Sequence, residues 1–163
     1  MANLAWIYML RRSYELSEHY FRRSIALNPN KPSTMAALGT LYGFIGRAAE
    51  GIALFKQAKR VDPNYDPTWY WPQLGIIYFI TEKYDEAIAN LMRSPTMPAW
   101  VHVYLAACYA LTNRSDEARR ATQQALKLAP ELNIEVFVDK EPFKSSADRD
   151  RLLKGLRTAG LPG

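Results

Sequence analysis

Cys108, His19 and His102, the acidic pairs Asp85-Glu86 and Asp116-Glu117, and the basic pairs Arg11-Arg12 and Arg22-Arg23 are the side chains through which this chain could do chemistry. A thiol nucleophile needs a depressed pKa and a neighbouring base. Cys108 instead sits beside Tyr109 in the apolar run LAACYAL, where a buried, inert thiol is expected. One cysteine also excludes an internal disulfide and a CxxC metal site. The two histidines lie far apart and lack metal-ligand spacing. His102 could touch a ligand, but a half-buried structural role fits its apolar surroundings better. The acidic pairs suit the exposed N-terminal halves of helices, and arginines at helical spacing make a solvated face rather than a nucleic-acid stripe. There is no Gly-rich phosphate loop and no Ser/His/Asp constellation. The chain is therefore expected to be non-catalytic, with neither cofactor nor metal.

Composition agrees. The chain has 163 residues, 48% apolar and 23% charged, with a net charge of +5, which fits one ordinary globular domain. The N-terminal arginines follow the apolar run instead of preceding it, so this is no signal peptide. The uncharged stretches Pro67–Thr81 and Pro95–Asn113 contain Pro, Thr and amide or His side chains and fall short of about 20 apolar residues, so no membrane span is expected. Together these features point to the cytoplasm and to no nucleic-acid partner. The unusual entry is aromatic content, 12% of the chain.

Something regular must position those rings, and the chain repeats itself. Tyr8, Tyr42, Tyr78 and Tyr109 are separated by 34, 36 and 31 residues. The same offsets relate Leu4, Leu38, Leu74 and Leu105, and the small residues Ala5, Gly39, Gly75 and Ala106. A second half-repeat keeps step through Ser17, Gly51, Ala87 and Ala118, then Ser24, Ala58, Ser94 and Ala125. Leu, small and Tyr at relative positions 1, 2 and 5 share one side of a helix. The two small columns let paired helices approach closely, with Leu and Tyr filling the space beside them. Each antiparallel pair leaves a face unburied and must stack on the next, which is a solenoid. Pro29, Pro63 and Pro130 close three of the repeats.

These columns resemble the tetratricopeptide repeat. Leu38-Gly39, Tyr42, Gly46, Gly51, Phe55, Ala58 and Pro63 of the second copy stand at that family's signature places. The third copy has Trp71, Leu74-Gly75, Tyr78 and Ala87, with Leu91 where Phe is usual; the fourth departs at Thr122 and His102. The resemblance implies an all-α, right-handed α-solenoid of four repeats over about 1–31, 32–66, 67–98 and 99–130. Residues 131–163 then supply a connecting segment and a capping helix. Glu131–Lys144 reads as irregular, with Phe137, Val138 and Phe143 as apolar anchors. Ser145 and Asp148 form a capping-box-like start to a helix ending near Ala159. The stretches PNYDPTWYWPQLGIIYF and EPFKSSADRDRLLKGLRTAGLP also resemble the repeat region that follows the catalytic domain in bacterial adenylate/guanylate cyclases. That resemblance implies the C-terminal part of a larger signalling protein, or a shortened stand-alone relative.

In this family the first helices of successive pairs line an inner surface. The resemblance places Met35, Ala36, Thr40, Gly43 and Phe44 there from the second repeat, Trp69, Pro72, Gln73, Ile76, Phe79 and Ile80 from the third, and Trp100, Val103, Tyr104, Ala107 and Leu111 from the fourth. None is basic and none is Asn, which disfavours a clamp for a C-terminal carboxylate. An apolar surface of that size should be covered or used. Phe44, Trp69, Gln73, Ile76, Phe79, Ile80, Trp100 and Tyr104 are the candidate partner-binding residues, for an amphipathic helix or extended apolar peptide. Three readings stay open: a groove for a protein or peptide partner, residues merely packed between tightly wound helices, and a groove covered by the tail, by an upstream segment or by a second copy in a homodimer. The functional alternatives are accordingly a protein-interaction module and a self-associating regulatory segment of a signalling enzyme such as a class III nucleotide cyclase.

Overall fold

The computed structural model describes residues 1–163 as ten helices and no strand. Four antiparallel pairs run in sequence: α1 (Ala2–Leu10) with α2 (Tyr14–Leu27), α3 (Pro32–Phe44) with α4 (Ala48–Val61), α5 (Tyr70–Ile80) with α6 (Tyr84–Leu91), and α7 (Ala99–Leu111) with α8 (Ser115–Leu128). Each second helix packs on the first helix of the following pair, and successive first helices also touch. The result is the expected solenoid, with α1, α3, α5 and α7 side by side on its inner face.

The small columns do the work expected of them. A Cβ on Gly39 would lie 2.8 Å from the Gly51 carbonyl oxygen, and one on Gly51 would lie 2.6 Å from that of Gly39. The first pair has Ser17 in place of the second glycine, and its hydroxyl donates to the Ala5 carbonyl at 2.8 Å, so the buried oxygen is satisfied. The turn inside each pair uses one further column. Arg12, Gly46, Glu82 and Asn113 all have positive φ, and the N–H of the next residue donates to the carbonyl of the repeat's Tyr at 2.9, 2.7, 2.9 and 2.8 Å. This left-handed close satisfies a carbonyl that the helix end leaves unpaired.

Beyond α8 the chain departs from the irregular segment expected. Residues Ile134–Lys140 form a short helix, α9, whose N-cap Asn133 accepts from the Val136 N–H at 2.9 Å. Seven residues are too few to show a helical period, which is why the sequence reads there as irregular. The last helix, α10 (Ser146–Thr158), begins at Ser145, whose Oγ accepts from the Asp148 N–H, as the capping pattern predicts.

Candidate functional site

The tail does not simply extend the stack. It folds back across the inner face. Phe137 on α9 packs edge-on against Tyr104 of α7, with ring centroids 6.1 Å apart. At the far end of α9, the Arg12 guanidinium donates to the carbonyls of Asp139 at 2.7 Å and Glu141 at 3.3 Å. The Tyr14 hydroxyl donates to the Pro142 carbonyl at 3.3 Å. Phe143 meets Phe44 at 5.2 Å, and the Lys144 N–H donates to the Phe44 carbonyl at 3.0 Å. The chain then returns along α10. Arg151 donates to the Ile80 carbonyl, Gly155 lies against Ala107, and the carbonyl of Ala159 accepts from Thr122 at 3.1 Å. Thr122 occupies the column that holds Phe21, Phe55 and Leu91 in the other pairs, and its hydroxyl holds the end of the tail. Ile134, Val138, Phe143, Leu152, Leu156 and Leu161 are buried as a result.

This packing sorts the candidate residues into two groups. Phe44, Ile76, Phe79, Ile80 and Tyr104 are buried, Phe79 and Tyr104 completely. Trp69, Gln73 and Trp100 are half-buried. Trp69 and Gln73 line an open recess of about 330 Å³ at the N-terminal ends of the inner helices, together with Trp6, Lys31 and Ser33. Trp6 and Trp69 meet edge to face at 6.2 Å, and Gln73 Oε1 is buried there without a hydrogen-bond partner. Trp100 stands apart from this recess, half-buried against the apolar core. Trp6 lay outside the sequence reading, although it falls in the column of Thr40, Ile76 and Ala107. Carrying that inner column back by one repeat reaches it.

The carboxylate of half-buried Glu141 reaches into the covered face. Glu141 accepts from the Tyr104 hydroxyl at 2.5 Å. Burial pushes the Glu141 carboxyl up, with the Tyr104 hydrogen bond opposing only part of the effect. Burial, then the facing carboxylate, pushes the Tyr104 hydroxyl far above its ordinary range. A second polar group joins the first two pairs. Glu18 accepts from Arg22, Tyr42 and Arg47 at 2.8, 2.8 and 2.9 Å. Burial alone would raise Glu18, but those three hydrogen bonds outweigh it and hold the carboxyl low. The remaining candidate chemistry is structural. Cys108 is buried, with its thiol pushed up to about 12 by desolvation. Burial lowers the pKa of His102, which lines a shallow depression beside Met97 and Tyr109 away from the tail. No group of His, Cys, Asp or Glu side chains could hold a metal ion, and no helix is long and apolar enough to cross a membrane.

Helical pairs stacked through small-residue columns, with a filled inner face, define a helical-repeat binding scaffold. Family models described as tetratricopeptide repeat match residues 1–31, 32–65 and 99–132, well over half the chain. The chain belongs to the tetratricopeptide repeat family. It is 28% identical over 111 residues to the human (Homo sapiens) cell division cycle protein 16 homolog, a match covering 66% of this chain and 18% of that protein. It is 41% identical over 56 residues to anaphase-promoting complex subunit 6 of Dictyostelium discoideum, covering 34% of this chain and 6% of that protein. The chain thus spans no more than about a fifth of the length of these relatives. Among solved structures, MamA 41-end from Desulfovibrio magneticus RS-1 superposes with a TM-score of 0.65 at 17% identity, covering 96% of this chain and 91% of that one. Another MamA crystal structure gives 0.61 at 20% identity, over 98% and 91%. At such identities the likeness is one of fold.

Proposed function

We propose that this chain is a non-catalytic interaction module that holds an apolar helix or peptide on its inner face, and that its own tail is the resting occupant. The observation that carries this reading is the tail itself: α9 meets Tyr104 through Phe137, the link after it meets Tyr104 and Phe44 through Glu141 and Phe143, and α10 meets Ile80 through Arg151, in the manner of a ligand in a groove. A partner would engage the open Trp6–Trp69–Gln73 recess and compete with α9 for the aromatic floor. Phe44, Trp69, Gln73, Ile76, Phe79, Ile80, Trp100 and Tyr104 are the proposed contact residues, with Trp69 and Trp100 as anchors.

The test is a peptide-display selection on the full chain, followed by affinity measurements. Trp69→Ala and Trp100→Ala should each weaken the selected amphipathic peptide at least about tenfold, and a synthetic peptide of residues 131–163 should compete with it. Binding unchanged in both variants would end the proposal. The self-filled inner face also favours a second reading, a regulatory segment of a larger signalling enzyme whose main contacts are internal. The link to a class III nucleotide cyclase rests on the resemblance of residues 63–79 and 141–162 alone.

A further inference from the structure

The tail is gripped in two different ways. Helix α10 is held by packing, with Leu152 and Leu156 buried and Gly155 against Ala107. The link between α9 and α10, residues 141–145, lies outside any helix, and there the hold is on the main chain. The Glu141 backbone is extended, at φ −69° and ψ 133°. Its carbonyl and that of Asp139 accept from Arg12, the Pro142 carbonyl accepts from Tyr14, and the Lys144 N–H donates to the Phe44 carbonyl. Phe44 ends α3, so its carbonyl has no partner within the helix. Ile80 ends α5 in the same column, and its carbonyl accepts from Arg151 in the same way.

Two side chains of the link, two positions apart, add selectivity. Glu141 accepts from the Tyr104 hydroxyl, and Phe143 sets its ring edge-on, 5.2 Å from that of Phe44. Pro142 between them is buried and brings no N–H to satisfy. The repeats, rather than the tail, fix the groups that make these contacts. Tyr104 packs on Phe79 at 5.6 Å, and Arg12 belongs to the left-handed turn closed on the Tyr8 carbonyl. Main-chain hydrogen bonds for affinity and alternate side chains for specificity are the means by which extended peptides are recognised. As an occupant the tail is imperfect. Two of its main-chain contacts are long, at 3.3 Å, and burial pushes the Glu141 carboxyl up. A glutamine there would offer the same acceptor without a charge to desolvate.

We propose that this surface reads an extended partner segment of the form Glu or Gln, then Pro, then an aromatic residue. Tyr104 selects the acceptor side chain, Phe44 selects the ring, and Arg12 and Tyr14 hold the main chain. The proposal rests on the reading that a partner displaces the tail. A second copy's tail would bring the same contacts as the chain's own and add the cost of association. A separate partner with a better-matched segment is the occupant that gains.

Fluorescence anisotropy with a labelled synthetic peptide of residues 138–146 tests it, on the full chain and on its Phe143→Ala variant, where the tail's own ring is gone. The peptide should bind the variant at least about tenfold more tightly than the parent. Replacing the peptide's Phe by Ala should weaken binding tenfold or more, and its Glu by Ala about tenfold, whereas Glu to Gln should cost nothing near pH 7. Tyr104→Phe in the same variant should abolish the disadvantage of the Glu-to-Ala peptide, a change of selectivity that a merely structural tyrosine would not give. The parent should show the same ranking at lower affinity, a check independent of how Phe143→Ala folds. Binding indifferent to the peptide's Glu and Phe, or no binding to either chain, would overturn the recognition. Selected amphipathic peptides that still require Trp69 and Trp100 would then leave the interaction module standing, and their failure as well would end both. A dimer of the parent that the peptide dissolves in sedimentation would assign the segment to a second copy and overturn the separate partner.

Discussion

A methyl group on Gly51 would sit 2.6 Å from the Gly39 carbonyl oxygen and 3.3 Å from the Gly43 nitrogen, both backbone atoms that cannot rotate away. Gly51→Ala must therefore push α4 off α3. A loss of about 1–3 kcal/mol is expected in urea unfolding, the usual range for overpacking a close contact. The columns that make this prediction were legible in the sequence, because close packing restricts residue type at every copy. The left-handed turn column was not. Gly46 carries the glycine that advertises positive φ and Asn113 is a type that visits it, while Arg12 and Glu82 adopt it with side chains that usually avoid it. Each does so because the following N–H gains the Tyr carbonyl, a gain no residue type announces. Among the site residues, the aromatic inner column was legible from the repeat. The covering of Phe44 and Tyr104 stood there only as one of three open readings, since their partners Phe143 and Phe137 lie in a segment without a repeat.

The tail pair α9–α10 shows the same division at the level of elements. Helix α10 announces itself through its capping residues and through Leu152, Leu153 and Leu156 on one side. Where it docks depends on Gly155 meeting Ala107 and on Thr122 receiving Ala159, contacts between segments distant in sequence. Glu141 makes this docking sensitive to pH. Its carboxyl has a higher pKa in the folded chain than the ordinary 4.5. The folded state therefore binds this proton more tightly than the unfolded one. The stability it contributes is complete below about pH 4.5 and is lost as pH rises through the raised value. Glu141→Gln keeps an acceptor for the Tyr104 hydroxyl and removes the titration. The variant should be more stable than the parent near pH 7, with the difference vanishing as pH falls towards about 4. Paired urea titrations across that range check the sign. Glu18, whose carboxyl is held low, acts oppositely in both proteins and cancels in the comparison.

For the molecule as a whole, the connection from the tail to Arg12 and Tyr14 matters beyond binding. An ordinary repeat array behaves like a row of tiles, each held only by its neighbours, so it frays from either end and unfolds in partial steps. Here residues 127–129 positions apart are hydrogen-bonded, Arg12 to Asp139 and Glu141, and Tyr14 to Pro142. The last segment of the chain is thereby fastened to the first pair. Opening α1–α2 costs the tail contacts, and releasing the tail uncovers the floor formed by α3, α5 and α7. Amides of the first and fourth pairs should accordingly exchange with solvent through a common opening, with similar protection. Arg12→Ala should uncouple them, raising exchange in α1 and α2 several-fold more than in α7. Such a ring of contacts also lengthens the loops that must close before the native state is reached, so folding should be slower than for a linear array of equal size. The expected consequence is that the piecemeal melting of a solenoid gives way to the all-or-none unfolding of a globular domain.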